Sequence, residues 1–190
     1  MSNYFSYFPT ALHDLRQTGQ KTEVTNILRR FKVRSALKDR TDVFYEYSIQ
    51  FGDRPDVIAE KFYGNPDYAW VVLHFNDIID PQFGWPLFGV DFDNFVIGKY
   101  GSMASAKSTV KNYYKVIRDA TVKNDGTRVP KFELVVDQTT FNTLSPTERR
   151  SETQYDYEVE RNEELKQIRL IEPRYLSQMI DEVETILQED

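Results

Sequence analysis

The feature that most constrains the fold is the run Tyr63-Gly64-Asn65-Pro66, which separates two short amphipathic patterns. Glycine just past the end of one helix and proline in the first turn of the next are the residues that such positions favour. Upstream of the run, the apolar residues have helical spacing: Ile58, Ala59 and Phe62. We therefore predict a helix that ends near Gly64 and a second helix that begins at once, with Asn65 as its N-cap.

The second helix carries apolar residues on more than one side. One face holds Tyr68, Val71, Val72 and Phe75, and another holds Trp70 and Leu73. A helix of this kind is either deeply buried or has a second apolar contact outside its own module. We predict that Ile58, Phe62, Val72 and Phe75 are buried together. His74 lies within this helix and is predicted to be a core or interface residue, and Asn76-Asp77 ends the helix.

A strand is predicted before the two helices, because residues 44–49 alternate between apolar and polar positions. Gly52 then turns the chain, and Asp53 is predicted to cap the first helix ahead of Pro55. Residues 78–87 are rich in turn residues and are predicted to be extended. Residues 44–87 therefore form one small module in this interpretation.

The N-terminal segment is predicted to be an aromatic arm, because Tyr4, Phe5, Tyr7 and Phe8 precede a proline. An arm this apolar either returns to its own core or docks on a partner, and the sequence leaves both alternatives open. Residues 22–31 follow with helical spacing and a Thr22 cap. Arg29 and Arg30 within that predicted helix fit an acidic protein surface better than a phosphate backbone, since no nucleic-acid motif accompanies them.

The C-terminal half is predicted to be a β-hairpin region that ends in an amphipathic helix. We predict a helix over 91–100, a loop over 101–108, and strands over 113–119 and 131–137 joined across Lys123-Asn124-Asp125-Gly126. A second hairpin is predicted to pair residues 155–159 with 166–171. A last helix opens at Pro173, with its apolar face formed by Tyr175, Met179, Val183 and Ile186 or Leu187. The fold class is α+β, with three regions: 1–43, 44–87 and 88–190.

Composition excludes several functional classes. The 190 residues include no cysteine and two histidines, which removes disulfides, cysteine–zinc sites and thiol nucleophiles. We expect no catalytic residue, metal or cofactor, because the motifs for such sites are missing from the sequence. No stretch is long and apolar enough to cross a membrane. A basic start (eight basic and four acidic residues in 1–43) and an acidic end (four and twelve in 151–190) favour protein partners over nucleic acid.

The central stretch resembles a LysM domain, a small β-α-α-β module. The matching residues are Gly52-Asp53, Ile58-Ala59, Tyr63-Gly64 and Asn76. LysM modules typically bind glycans that contain N-acetylglucosamine, so the resemblance implies an alternative function as a carbohydrate (peptidoglycan)-binding module. The candidate glycan groove would use six residues: Gly52, Asp53, Arg54, Asn76, Ile78 and Pro81. Residues 80–86 depart from the LysM pattern, and we predict no binding to chitin oligomers.

A longer pattern resembles the baseplate wedge protein 53 family of T-even-like contractile-tailed bacteriophages. It runs from Tyr63-Gly64-Asn65-Pro66 through Asn76-Asp77 to Gly84-Trp85, with further similarity in the aromatic start and in residues 162–169. The resemblance implies a structural protein of the virion tail baseplate, made in the host cytoplasm. It implies that the chain joins neighbouring wedges and contacts the large wedge-core subunit and a sheath-initiator-like subunit. The candidate partner-binding residues are Tyr4, Phe5, Tyr7, Phe8, Arg29, Arg30, Trp70 and Trp85.

Overall fold

The structure is a computed structural model that describes residues 4–14, 17, 19–29 and 42–188. It is an α+β fold whose chain divides into two compact units. The split unit combines Met1–Pro86 with Leu165–Asp190, and the inserted unit is the continuous segment Leu87–Glu164. Residues 165–190, which the sequence analysis grouped with 88–164, therefore lie in the unit that also holds the start of the chain.

The helices and strands follow in chain order. Up to residue 86 they are a 3-10 helix (Tyr4–Tyr7), β1 (Thr10–His13), β2 (Thr22–Thr25), β3 (Phe44–Ser48), α1 (Pro55–Tyr63), a 3-10 helix (Pro66–Tyr68), α2 (Ala69–Phe75) and α3 (Pro81–Gly84). Further along they are α4 (Val90–Tyr100), α5 (Met103–Ser108), β4 (Val110–Arg118), β5 (Thr121–Val122), β6 (Arg128–Val129), β7 (Phe132–Val136), α6 (Gln138–Thr143), β8 (Arg149–Thr153), α7 (Gln154–Leu165), β9 (Gln167–Ile171) and α8 (Pro173–Gln188).

The split unit is built on an antiparallel pair of strands that are distant in sequence. β3 pairs with β9, so that Phe44 lies opposite Ile171 and Ser48 opposite Gln167. Helices α1 and α2 follow β3, which gives the order strand, helix, helix, strand. The closing strand comes from residues 167–171, and the sequence prediction of a module complete within 44–87 did not anticipate that.

The helix boundaries in this unit confirm that Gly64 ends one helix and that Asn65 caps the next. Gly64 ends α1 in the left-handed conformation with φ 72°, and its N–H donates to the Glu60 carbonyl. The Asn65 side chain caps the following 3-10 helix by accepting from the Asp67 N–H at 2.9 Å. The predicted cap of α1 is wrong in detail, because Arg54 occupies the N-cap position and the Asp53 carboxylate is engaged elsewhere.

An apolar cluster rich in aromatic residues forms the core of the split unit. It joins the N-terminal segment, α2, β9 and α8, and its buried members are Tyr7, Phe8, Val43, Trp70, Val71, Phe75, Ile171, Leu176, Met179, Val183 and Leu187. Ile58 and Val72 are also buried, as predicted, but Phe62 is only half-buried, with its ring 5.7 Å from that of Tyr45. On α8 the buried position is Leu187 rather than Ile186.

The inserted unit contains a three-stranded antiparallel sheet in the order β7-β4-β8. The predicted hairpin is confirmed, since Tyr113 of β4 lies opposite Val136 of β7. The predicted helix over 91–100 is confirmed as α4, with Val96 buried. The predicted loop over 101–108 is wrong: it contains α5, which the Ser102 hydroxyl caps by accepting from the Ser105 N–H at 3.1 Å.

The predicted second hairpin is wrong, because residues 154–165 form helix α7. Tyr155, Tyr157 and Val159 alternate like a strand, but a local cap decides the outcome. The Thr153 hydroxyl accepts from the Asp156 N–H at 3.1 Å, and the Asp156 carboxylate accepts in return from the Thr153 N–H at 3.3 Å. Such a reciprocal cap initiates a helix despite the alternation.

Two further predictions are corrected by the structure. The helix predicted to begin at Thr22 is instead strand β2, which pairs with β1 in an exposed ribbon. Ile27 and Leu28 are exposed rather than buried on a helical face, and Phe31 and Arg30 lie outside the described residues. The segment predicted to be extended over 78–87 contains the one-turn helix α3, capped by the Asp80 carboxylate that accepts from the Gln82 N–H at 2.9 Å.

Candidate functional site

The aromatic arm folds back onto its own unit. Tyr7 and Phe8 are buried, whereas Phe5 is about half exposed. Pro9 follows them, and its carbonyl accepts from the Asn26 N–H at 2.8 Å, which ties the arm to the β1–β2 ribbon. In this conformation the structure favours the alternative in which the arm contributes to the core, with Phe5 as its outward-facing ring.

The arm covers the second apolar face of α2. The Trp70 ring lies 5.4 Å from that of Tyr4 and 5.7 Å from that of Tyr7, measured between centroids. The Tyr4 hydroxyl lies 3.1 Å from Nε2 of His74, so this histidine is part of the arm–helix contact. Burial raises the pKa of the Tyr4 hydroxyl above its ordinary value. Trp70, a candidate partner-binding residue, is therefore covered by its own chain.

The other candidate partner-binding residues lie apart from the arm core. Arg29 is half-buried in the turn that follows β2, and Arg30 is outside the described residues. Trp85 is half-buried just after α3, and its indole Nε1–H donates to the Asp53 carbonyl at 3.0 Å. That hydrogen bond brings the segment after α2 beside the loop that follows β3.

The loop after β3 is held by the buried Asp53 carboxylate. It accepts from the Tyr47 hydroxyl at 2.7 Å, the Gln50 N–H at 2.9 Å and the Lys61 ammonium at 2.8 Å. Burial alone would raise the pKa of this carboxyl, but these three donors outweigh burial and lower it. Burial and the neighbouring carboxylate raise the pKa of the Tyr47 hydroxyl to about 12. Asp53 therefore has a structural role, because its carboxylate joins β3, the loop that follows β3, and α1.

The Asn76 side chain is likewise engaged within its own unit. Its amide nitrogen donates to the Val72 and Arg169 carbonyls, each at 2.8 Å, and its oxygen accepts from the Arg169 N–H at 2.7 Å. The side chain thereby joins the C-terminus of α2 to the closing strand β9. The sequence identified Asn76 as significant, but its partner is 93 residues away and could not be inferred from local spacing.

The remaining candidate groove residues line the same two loops. Gly52 has φ 86° in the turn after β3, and Arg54 is exposed and ion-paired with Asp56 at 3.2 Å. Ile78 packs against α3, since a Cβ added at Gly84 would lie 2.9 Å from Cγ2 of Ile78. Pro81 begins α3 and is exposed. The structure thus places the six candidate groove residues between β3 and α1 or between the end of α2 and the start of α3, and the hydrogen bond from Trp85 to Asp53 joins these two segments.

The inserted unit contains a cluster of charged side chains that sequence reasoning missed. The Glu158 carboxylate, whose side chain is 4% exposed, accepts from the Lys99 ammonium at 2.9 Å and from the Tyr100 hydroxyl. Burial would raise the pKa of Glu158, but these donors outweigh it and lower the pKa. No local sequence signal distinguishes Glu158 from the other acidic residues of α7, because Lys99 and Tyr100 lie 59 and 58 residues away along the chain.

A second carboxylate cluster lines a cleft of about 320 Å³ in the same unit. The buried Glu152 accepts from Asn112 at 2.8 Å and Tyr114 at 2.9 Å, while Arg150 binds Glu133 through two nitrogens at 2.7–3.1 Å. A hydrogen bond to Glu152 raises the pKa of Glu160, and burial and charge repulsion add to the effect. Among the described residues, no group of three or more acidic or histidine side chains could hold a metal ion. No helix within the described ranges is long and apolar enough to span a bilayer.

Comparison with known protein families shows which family this chain belongs to. The family described as Base plate wedge protein 53 matches residues 5–186, which is nearly the whole chain. The chain belongs to this family. The Baseplate wedge protein gp53 of Enterobacteria phage T4 is 31% identical over 85 residues, a match that spans 43% of this chain and 42% of that relative. The match therefore covers less than half of the relative's length.

Membership in the base plate wedge protein 53 family confirms the resemblance found in the sequence. It makes the protein a structural component of the virion tail baseplate. The matched range begins within the aromatic arm, at Phe5, and ends within α8, at Ile186, so the family match covers most of the split unit and all of the inserted unit.

Proposed function

We propose that this chain joins neighbouring wedges of the tail baseplate into the ring around the hub, through protein–protein contacts and without catalysis. The observation that carries the proposal is the family match over residues 5–186. The relative in phage T4 is itself described as a baseplate wedge protein, which supports a place in the wedge. The partners would be the large wedge-core subunit, a sheath-initiator-like subunit and the adjoining wedge.

The structure supports this role through the side chains that it leaves outside the cores. The split unit has a packed apolar core but exposes large apolar side chains, including Phe5 on the aromatic arm and Leu12 on the β1–β2 ribbon. Apolar side chains at the surface supply affinity when a partner buries them, and aromatic anchors contribute most. Because Tyr7 and Phe8 hold the arm in place, Phe5 is presented by a rigid support, which lowers the entropic cost of binding.

The hydrogen bonds within the loops after β3 and α2 argue against the alternative function, carbohydrate binding. The side chains of Asp53, Asn76 and Trp85 form hydrogen bonds with groups of the protein itself. A sugar ring needs polar partners that fix its orientation. We therefore favour the assembly role over a LysM-type glycan site.

The assembly role can be tested by reconstituting wedges with and without this chain. Electron micrographs should show rings when wild-type protein is added and separate wedges when it is omitted. Phe5→Ala should reduce ring yield several-fold while its melting temperature stays near that of the wild type, since this side chain is half exposed. Tyr7→Ala, the matched control in the same 3-10 helix, should instead lower the melting temperature. Rings that form equally well in the absence of this chain would contradict the proposal.

A further inference from the structure

Strand β7 forms an open edge of the three-stranded sheet in the inserted unit. The sheet order is β7-β4-β8, and within the described ranges β7 pairs with β4 alone. Its other side therefore presents a row of main-chain N–H and C=O groups to which a further strand can bind. Helix α6, which follows β7, turns away from this edge, since the Phe141 ring lies 4.7 Å from that of Tyr113 on the central strand β4.

The exposed side chains of β7 are apolar on both faces of the sheet. Phe132 is 49% exposed and Leu134 is 47% exposed on one face. Val135 is 69% exposed on the other face, because successive residues of a strand point to opposite faces. The one charged residue of the strand, Glu133, is mostly buried and bound to Arg150. This edge therefore fits an added strand that is also apolar on both faces.

The strand that has this chemistry is β7 itself. In an antiparallel pair of β7 strands, a two-fold axis perpendicular to the sheet keeps each residue on the same face in both copies. The register that pairs all five residues of Phe132–Val136 is centred on Leu134. Leu134 then lies opposite its own counterpart, and Phe132 lies opposite Val136. Each copy covers the exposed apolar side chains of the other.

The charges at the two ends of β7 favour the same register. With Leu134 at the centre, Lys131 of each copy lies opposite Asp137 of the other, and both residues are exposed. A slide of two residues in either direction, the smallest that keeps the faces matched, places Glu133 opposite either Glu133 or Asp137. Like charges directly opposite each other destabilise a sheet. Lys131 also binds Glu133 at 2.7 Å, and the Asp137 carboxylate accepts from the Thr140 N–H at 2.8 Å, so the pairs between copies set the register more than the affinity.

We propose that two copies of this chain associate through β7, so that their sheets join into one continuous six-stranded antiparallel sheet. The contact is isologous and closes on itself, which limits the association to a dimer. It also protects an apolar edge that would otherwise be open to non-specific pairing. Because the contact involves five residues of each copy, the interface is small and the dimer depends on concentration. The inference goes beyond the proposed joining of wedges, because it concerns the free subunit and needs no other baseplate chain.

The absence of cysteine from the sequence allows a clean cross-linking test. In Leu134→Cys the two thiols would lie directly opposite each other, so mild oxidation should give a disulfide-linked dimer. Val135→Cys is the matched control, because this position is more exposed but its two Cα atoms would be about 8 Å apart, too far for a disulfide. We expect Leu134→Cys to cross-link at least tenfold faster than Val135→Cys. Equal rates, or faster cross-linking of Val135→Cys, would overturn the proposal.

Sedimentation velocity of the isolated protein tests the same contact without cross-linking. The wild type should show a monomer–dimer equilibrium, which Leu134→Lys should weaken at least tenfold because it places two ammonium groups opposite each other. Lys131→Glu should weaken the dimer several-fold, since like charges then face each other at both ends. Lys123→Glu makes the same change in net charge between β5 and β6 and should leave the equilibrium unchanged. A wild type that stays monomeric at every accessible concentration, or equal effects of Lys131→Glu and Lys123→Glu, would overturn the proposal.

Discussion

Different kinds of interaction stabilise the interior of each unit. The split unit packs apolar and aromatic side chains, with Val71, Phe75 and Ile171 almost fully excluded from water. Among the described residues, the inserted unit buries two carboxylates, Glu152 and Glu158, and few large apolar side chains, whereas the split unit buries one carboxylate, Asp53, beside its apolar core. Burial of apolar surface depends little on pH, whereas paired carboxylates stabilise a fold only while they are ionised. The comparison predicts that the two units respond differently to core truncation and to acid.

The largest expected effect is the loss of a core aromatic from the split unit. Phe75→Ala should destabilise this unit by about 3–5 kcal/mol, because the side chain is buried in the aromatic cluster. Urea unfolding followed by tryptophan fluorescence measures it, since both tryptophans of the chain, Trp70 and Trp85, belong to this unit. Phe62→Ala is the matched control and should cost less, because Phe62 is half-buried. Equal losses for the two variants would show that our account of the core is wrong.

The next effect concerns the buried carboxylate of the inserted unit. Glu158→Gln should destabilise that unit at pH 7 by about 1.5–3 kcal/mol, since it removes the charge that Lys99 and Tyr100 stabilise. The folded-state pKa of Glu158 is lowered, so its contribution is complete above the ordinary carboxyl pKa of about 4.3 and is lost as the pH falls through the folded value. The difference between variant and wild type should therefore shrink in acid.

Far-UV circular dichroism and tryptophan fluorescence, recorded together in urea at pH 7 and pH 3, separate the two units in this experiment. If Glu158→Gln shifted the fluorescence midpoint as much as the circular dichroism midpoint, the predicted difference between the two units would be wrong. Glu163→Gln, on the same helix, gives the same change in net charge and serves as the control.

The smallest expected effect has the opposite sign. The pKa of Glu160 is raised, chiefly because its protonated form donates a hydrogen bond to Glu152. Ionisation of Glu160 therefore weakens the fold as the pH rises above the unfolded-state pKa. Glu160→Gln should stabilise the inserted unit at pH 7 by up to about 0.5 kcal/mol after screening by solvent, measured as a small rise in urea midpoint. A decrease would mean that the two carboxylates do not compete.

Local signals in the sequence predicted the helix ends and the short-range hairpin. Gly64 and Asn65 terminate and initiate helices through contacts within a few residues, and the β4–β7 pair surrounds an evident turn. Long-range choices were not predictable in the same way. Nothing near residues 166–171 indicates that this strand pairs with β3 instead of its neighbour, because both partners offer alternating side chains.

The candidate site shows the same division between local and distant information. The sequence identified the aromatic arm and the apolar second face of α2 separately, but not that Tyr4 and Tyr7 cover Trp70. It identified Asp53 as a polar residue at a helix start, where a cap is the ordinary role. The competing donors Tyr47 and Lys61 lie on a strand and at the end of α1, and only the folded chain brings them to the carboxylate.

The pairing of β3 with β9 has a consequence for the order in which the chain matures on the ribosome. Ser48 and its partner Gln167 are 119 residues apart, so β3 leaves the ribosome long before its partner strand is made. At about 5–20 residues per second, that interval is about 6–24 s. The continuous middle segment can fold during this time, whereas the start of the chain stays incomplete, with an open strand edge that chaperones would have to protect. Synthesis of β9, rather than of the first helices, therefore sets when the split unit can complete its fold.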